Sequence, residues 1–392
     1  MLLVLLIVMF ALALRAASSI STEIYVYPNQ NVFYSGGASI GFRFNVTVWV
    51  KNVSDLGSWQ VQMSYDSSII NCTRAWQPIW DAQFVFYGRS TFPTVFFNTG
   101  YVLLGDALVP WSQSKFAGTG KLCIVEFEIV ASPLAGGELS CALDITQSTF
   151  LLDSQSIEIP TVKTNGYYRY IDRRVPISRF QELFGSNPLV HMINPSNSSG
   201  KPLGCGAAMV SDWTASAFIY VRLDNVTEGL DVNGNFVNQT TGKPQGTNGT
   251  GIVSFGGPLV NLVVMYAENG STVREDRAPI KFFSSGNVFS FRFANGTSIP
   301  GAELNVSFIN NNRDMFVIES YRDHDGKYVM LSYGFGWKGS YAAGKFFDVV
   351  IYPNLEAYAE SWIIVRWEDT NGNGFVNAPA DGDSYVVVAT GS

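Results

Sequence analysis

Phe42-Arg43-Phe44-Asn45-Val46-Thr47-Val48-Trp49-Val50 alternates apolar and polar side chains with a period of two, and this alternation sets the fold class of the first half of the chain. One face of the resulting strand carries Phe42, Phe44, Val46, Val48 and Val50; the other carries Arg43, Asn45 and Thr47. Moving outward, Trp59, Val61, Met63 and Tyr65 alternate with Gln60, Gln62 and Ser64, and Asp66-Ser67-Ser68 supplies a turn. Cys123, Val125, Phe127 and Ile129 share one side of a third strand. After a loop over 133–137, Leu139, Cys141, Leu143 and Ile145 share one side of its expected hairpin partner. Short alternating strands joined by Gly, Pro and Ser turns predict an all-β, two-sheet sandwich over residues 22–168.

At 392 residues the chain exceeds one ordinary core, which favours two domains. Charged residues make up 15% and aromatics 14%, a balance too apolar for a disordered chain and suited to a β-rich exported one. A net charge of −7 with no basic block excludes a nucleic-acid partner. Residues 1–18 read as a signal peptide or leader: an apolar run of about 14 residues followed by Arg15 and small residues, without a basic start and too short to span a bilayer comfortably. No other apolar run is long enough for an integral membrane span.

Ten Asn-X-Ser/Thr acceptors follow the leader, at Asn45, Asn52, Asn71, Asn197, Asn225, Asn238, Asn248, Asn269, Asn295 and Asn305. They predict a glycosylated outer surface on a secreted or cell-surface protein. The strand phase turns Asn45 and Asn71 away from the core. No acceptor follows Asn305, which suggests a C-terminal region turned toward a neighbour.

The pattern changes beyond the sandwich. Residues 169–205 read as a linker with a short helix at 177–184, and residues 206–392 as an α/β or α+β domain with a mixed sheet. Residues 207–223 have helical spacing, with Ala215 and Ser216 small enough for close packing. The segment 251–255, Gly256-Gly257-Pro258 and 259–267 read as strand, tight turn and helix; 315–320 and 328–333 flank a hairpin turn, 334–348 runs from a Gly-rich turn into a helix, and 362–367 and 385–390 are strands.

The succession VTVWVKNVSDLGSWQVQMSYDSSIIN (46–71), GTGKLCIVEFEIVA (118–131) and GGELSCALDITQSTFL (136–151) resembles a cohesin domain, a jelly-roll sandwich. That resemblance implies a binding or assembly module. In the second half, SDWTASAFIYVRL (211–223), IVSFGGPLVN (252–261), GKYVMLSYGFGWKGSYAAGKFF (326–347) and DSYVVVATGS (383–392) resemble the α/β domains of archaeal S-layer proteins and, more distantly, bacterial cell-wall-binding repeats.

Asp369-Thr370-Asn371-Gly372-Asn373-Gly374 is the best candidate ion site: oxygens at alternate positions around a Gly turn suit calcium, with Asp381 or Asp383 replacing the Glu expected where Ala380 stands. The alternative is a turn whose Asx side chains bond their own backbone. Asp231-Val232-Asn233-Gly234-Asn235 is a weaker match, and the Gly256-Gly257 turn is a weak anion site beside its structural role. Cys123 and Cys141 are disulfide candidates by their shared inward phase; as small buried hydrophobes they need no bond. His191 and His324 neighbour no nucleophile motif, and Glu126 and Glu128 share a solvated strand face, so no catalytic residue is assigned and the chain is not expected to be an enzyme. Trp49, Trp76, Trp80 and Trp111 are candidates for stacking a saccharide or packing a partner.

These features predict an exported, glycosylated envelope protein, S-layer-like and built around a cohesin-like module, whose partners are other envelope proteins or copies of itself. The alternative is a monomeric adhesin that binds protein or saccharide. A glycoside-active enzyme is the remote one.

Overall fold

The computed structural model describes residues 21–197, 206–309 and 311–392. The chain forms two compact units, Met1–Pro133 with Glu138–Ile171, and Leu134–Gly137 with Asp172–Ser392. The expected leader and Cys205 lie outside the described residues.

In the first unit the strands are β1 (Thr22–Tyr27), β2 (Gln30–Tyr34), β3 (Arg43–Leu56), β4 (Ser58–Ser64), β5 (Ile70–Trp76), β6 (Thr94–Asn98), β7 (Tyr101–Ala107), β8 (Phe116–Ile129), β9 (Glu138–Ile145), β10 (Phe150–Leu152), β11 (Thr161–Thr164) and β12 (Gly166–Ile171). They form a five-stranded sheet, β11-β1-β3-β8-β5, and a seven-stranded sheet, β2-β12-β9-β4-β7-β6 with β10 on β4. Burial follows the period of two. Val46, Val48 and Val50 of β3, Trp59, Val61 and Met63 of β4, and Cys123, Val125, Phe127 and Ile129 of β8 all enter one core. Phe42, just before β3, is exposed instead of inward.

The hairpin pairing of Cys123 with Cys141 is corrected by the strand order. β8 pairs with β3 and β5, whereas β9 pairs with β12 and β4, so the chain changes sheet between them. Alternation marks which face a cysteine takes, but not which strand lies opposite. Cys72, Cys123 and Cys141 all carry unpaired thiols. Burial pushes the Cys72 thiol up to about 12 and raises those of Cys123 and Cys141 as well, which suppresses the reactive thiolate.

The second unit holds β13 (Val190–Asn194), helix α1 (Gly206–Tyr220), β14 (Val226–Leu230), β15 (Gly251–Phe255), helix α2 (Leu262–Met265), β16 (Ile280–Ser285), β17 (Val288–Phe293), β18 (Ser298–Asn305), β19 (Arg313–Arg322), β20 (Tyr328–Gly334), helix α3 (Trp337–Phe346), β21 (Trp362–Glu368) and β22 (Ser384–Gly391). A mixed seven-stranded sheet runs β14-β13-β15-β20-β19-β21-β22, parallel from β14 to β20 and antiparallel beyond.

Its strands are apolar on both faces because both are covered. Val253, Phe316, Ile318, Ile363 and Val365 pack with Ala215 and Ile219 of α1 and Ala342 and Phe346 of α3. Ile252, Met315, Val317 and Ile364 pack on the other side with Val263 of α2 and with Ile280 and Phe291 of the antiparallel sheet β16-β17-β18. Helices α1 and α3 approach closely: a Cβ on Gly344 would collide with the Ala215 carbonyl oxygen, so the small residues of both helices are a packing requirement.

The expected linker over 169–205 is not a linker in its described part. It contains the end of β12, the buried Ile177, Phe180, Leu183 and Phe184, and β13, an interior strand with Val190, Met192 and Ile193 buried. Six residues between Pro188 and Pro195 give too short an apolar run to separate a buried strand from a turn-rich loop. The sheet β16-β17-β18 also has no counterpart in the sequence-based expectations.

Candidate interaction surface and ion turn

All ten acceptor asparagines are exposed. In the sandwich their distribution is one-sided: Asn45 and Asn52 lie on β3 and Asn71 on β5, all in the five-stranded sheet, and none lies on the seven-stranded sheet. In the second unit Asn238, Asn295 and Asn305 use their side-chain oxygen to accept a nearby backbone N–H, which leaves the amide nitrogen, the atom a glycan attaches to, outside these bonds.

The bare sheet ends in β6, whose outer edge has no strand partner among the described residues. Every residue of β6 is exposed, including Val95 at 38%, Phe96 at 54% and Phe97 at 48%. Its register on β7 explains why. Val95 and Phe97 sit opposite Leu104 and Val102, both core residues, so they lie at the open margin of the core; Phe96 sits opposite Leu103 on the outer face. Leu103 in turn pairs with Gln62 of β4, so Gln62, Leu103 and Phe96 form one cross-strand row. The stretch from β5 into β6 exposes further apolar side chains, Ile79, Tyr87, Phe92 and Trp80, the last 89% exposed. Scattered apolar residues are ordinary on a surface; three consecutive ones on an unpaired edge strand make β6 a candidate contact surface.

The four tryptophans therefore divide. Trp80 is solvated. Trp49 is half-buried, stacked at 6.4 Å on Tyr25 with the Lys121 ammonium 5.3 Å from its ring. Trp76 lies under Arg74 at 4.7 Å. Trp111 has Lys115 3.8 Å above its ring and donates its indole N–H to the Ser154 carbonyl at 2.9 Å.

The 369–383 turn is ordered by its own Asx groups. The Asp369 carboxylate accepts the N–H groups of Gly372 and Gly374 at 2.7 and 2.8 Å, Asn371 that of Asn373 at 3.0 Å, and Asn373 that of Phe375 at 2.8 Å. The Asp369 and Asn371 oxygens each keep a second lone pair, which is what a hard cation would use, whereas the Asn373 oxygen also accepts the Asn377 amide at 3.1 Å. Asp381 is exposed, but Asp383 is withdrawn: it is buried and accepts the Trp367 indole N–H at 2.8 Å and the Asn377 N–H at 2.7 Å. Among the described residues no three His, Cys, Asp or Glu side chains gather at metal-ligand spacing.

Two sequence features that look separate are joined by the fold. Asp231, in the weak ion match, is fully buried and accepts the N–H groups of Ser196 at 2.8 Å and Leu262 at 2.9 Å. Leu262 opens α2, so the anion position expected after Gly256-Gly257 is filled by the chain's own carboxylate. Of the histidines, His191 packs edge-on against Phe236 at 5.0 Å, and the His324 N–H donates to Asp276 at 2.9 Å. Glu126 and Glu128 lie on the outer face of β8 beside Arg43, at 3.7 and 2.9 Å. The buried carboxyls Glu268 and Glu319, unremarked in the sequence, are sealed within the second unit at 6% and 0% exposure, where a glycosidic bond cannot reach them.

No protein-family description matches the chain, and no curated protein does. Among solved structures, the chain is similar to a non-cellulosomal cohesin from the hyperthermophilic archaeon Archaeoglobus fulgidus, at 18% identity over 38% of this chain and 91% of that one, with a TM-score of 0.29. It is also similar to a type I cohesin–dockerin complex from Clostridium thermocellum (10% identity, 39% of this chain and 94% of that one, TM-score 0.31). A third is a type II cohesin domain from the cellulosome of Acetivibrio cellulolyticus (16%, 38% and 95%, TM-score 0.27).

Proposed function

We propose that the chain is an exported, glycosylated component of an archaeal cell envelope, S-layer-like in role, in which the cohesin-like sandwich is a protein-interaction module. The observation that carries this is the one-sided sandwich: three acceptor asparagines on the five-stranded sheet, none on the seven-stranded sheet, and an aromatic edge on the bare side. Glycans keep a surface solvated, and apolar edges need a partner, so the two sheets divide the work.

A single substitution tests the division. Gln62→Asn builds an Asn-X-Ser acceptor with Met63 and Ser64, in the same cross-strand row as Phe96. Expressed in a glycosylating host, this variant is expected to fold with an unchanged melting temperature and to lose incorporation into the envelope. The unglycosylated form from a non-glycosylating host should bind envelope material like the parent. Glycopeptide mapping of native protein should find sugar on Asn45, Asn52 and Asn71; bare asparagines at all three would remove the proposal.

The 369–381 turn is proposed to bind calcium through Asp369, Asn371, Asn373 and Asp381, Asp383 being occupied elsewhere. Two carboxylates give a low ligand charge, which places the dissociation constant at roughly 10⁻⁴–10⁻³ M, the range of extracellular modules. Calorimetric titration after chelation should show this weak heat in the parent and none in Asp369→Ala. A flat titration of the parent rejects the site.

A further inference from the structure

We infer that two copies of this chain join edge to edge through β6, antiparallel about Phe96, into one continuous sheet. The inference rests on the bare sheet being the interaction side and adds the partner and the register.

Three features of β6 point to a second copy. First, no charged residue occurs anywhere in 90–105, so the strand meets its own image without like-charge repulsion and offers nothing to recruit a charged partner. Natural edges are usually guarded by Lys, inward charge or a bulge; here only Pro93 stands at the entrance, outside the strand. Second, the sequence is self-complementary. In the register centred on Phe96, Thr94 opposes Asn98 of the second copy, Val95 opposes Phe97, and Phe96 opposes itself, so polar meets polar and apolar meets apolar at all five positions. Third, the faces agree. A two-fold axis perpendicular to the sheet keeps the core-side residues of both copies on one side, so each Val95 and Phe97 closes the other copy's open core margin. Both glycan-bearing sheets stay clear of the junction.

A five-residue strand pair buries less than a standard protein interface, so the association is weak, with a dissociation constant of roughly 10⁻⁵–10⁻³ M. Within an envelope layer, where neighbouring copies are held close, that is sufficient.

The test uses the full chain. Sedimentation velocity over a concentration series should show a monomer–dimer equilibrium that Phe96→Lys weakens at least tenfold, with an unchanged circular-dichroism spectrum. Register is read from three variants that each add one cysteine, Thr94→Cys, Phe96→Cys and Asn98→Cys, oxidised with copper phenanthroline beside the parent chain, whose own thiols set the background. Phe96→Cys should form disulfide dimers at least tenfold faster than the other two, because only that position faces itself. A chain that stays monomeric at millimolar concentration, or equal cross-linking at all three positions, overturns the inference. If the chain stays monomeric while the glycosylated Gln62→Asn form still loses envelope incorporation, the bare sheet meets a different protein. If that variant incorporates normally, the underlying function is wrong as well.

Discussion

Replacing Glu268 and Glu319 together by glutamine is expected to remove most of a fall in stability between about pH 4.5 and pH 8, and to make the variant more stable than the parent at pH 9 by on the order of 3 to 5 kcal/mol. Both carboxyls are buried beside the antiparallel sheet. Glu268 accepts the Tyr333 hydroxyl on one oxygen and the Phe282 N–H at 2.9 Å on the other; Glu319 accepts the Ile280 N–H at 2.9 Å. Burial pushes Glu268 up to about 8, against a smaller opposing pull from its hydrogen bonds and from Lys281. Burial raises Glu319 well above its ordinary value, and the neighbouring Glu268 adds to it. Tyr333 is raised too, by burial and by both carboxylates, so it stays a neutral donor.

An acid whose folded-state pKa is raised binds more protons folded than unfolded between the two values. Stability is therefore fully present below about 4.5, the unfolded value, and is lost as pH rises through the folded value of about 8. Asp325 acts at the other end. Burial works to raise it, but hydrogen bonds from Lys327 at 2.7 Å and from Lys243 outweigh this and bring it to about 2. Its contribution is present above 3.8 and lost as pH falls through 2. Together these groups place maximum stability near pH 4 to 5. Denaturant midpoints at pH 4.5, 7 and 9 check the result; parallel profiles for parent and double variant would reject it.

The second large effect is expected at Asn261. Asn261→Leu should cost about 3 to 5 kcal/mol, lowering the denaturant midpoint without changing the slope unless the fold itself loosens. The side chain is almost wholly buried and uses both ends. Its amide nitrogen donates to Phe255 O at 2.7 Å, Ser254 Oγ at 2.9 Å and Ile193 O at 3.3 Å, and its oxygen caps α2 by accepting the Val263 N–H at 2.9 Å. Leucine matches the volume but takes the donor from the Phe255 carbonyl and the acceptor from the Val263 N–H in a site closed to water, while Ser254 Oγ keeps its own bond to Ile193 O at 2.9 Å. Asn261→Asp should separate the two roles: it keeps the cap and loses the three donations. A variant within 1 kcal/mol of the parent would show that water or a shifted backbone replaces the amide.

Much of this was legible in the residues. The alternation over 44–50 and 59–65 gave the faces of β3 and β4, and all ten acceptor asparagines are exposed. The strand-turn-helix at 251–267 is present, with Asn261 as the cap of its helix. The small residues Ala215 and Gly344 do pack two helices together. The hairpin around Asp323–Gly326 is present as β19 and β20, because its two strands are joined by a short turn; what failed were the pairings that no local turn fixes. The Cys123–Cys141 hairpin failed because β8 and β9 enter different sheets, and β13 was hidden because a five-residue buried strand has no period to read. Asp383 has the spacing of a cation ligand, and only folding shows it turned toward Trp367.

The sequence by itself determined the class of the first unit, the mixed sheet of the second and an outward surface set with glycan acceptors, because a side chain's face depends on local periodicity. The tertiary structure alone decided that three acceptors share one sheet, that Gln62, Leu103 and Phe96 stand in one row, and that β6 is left at the edge with its aromatics uncovered. Strand order and register are settled by long-range pairing between segments far apart in the chain, and no local pattern records which strand will find no partner.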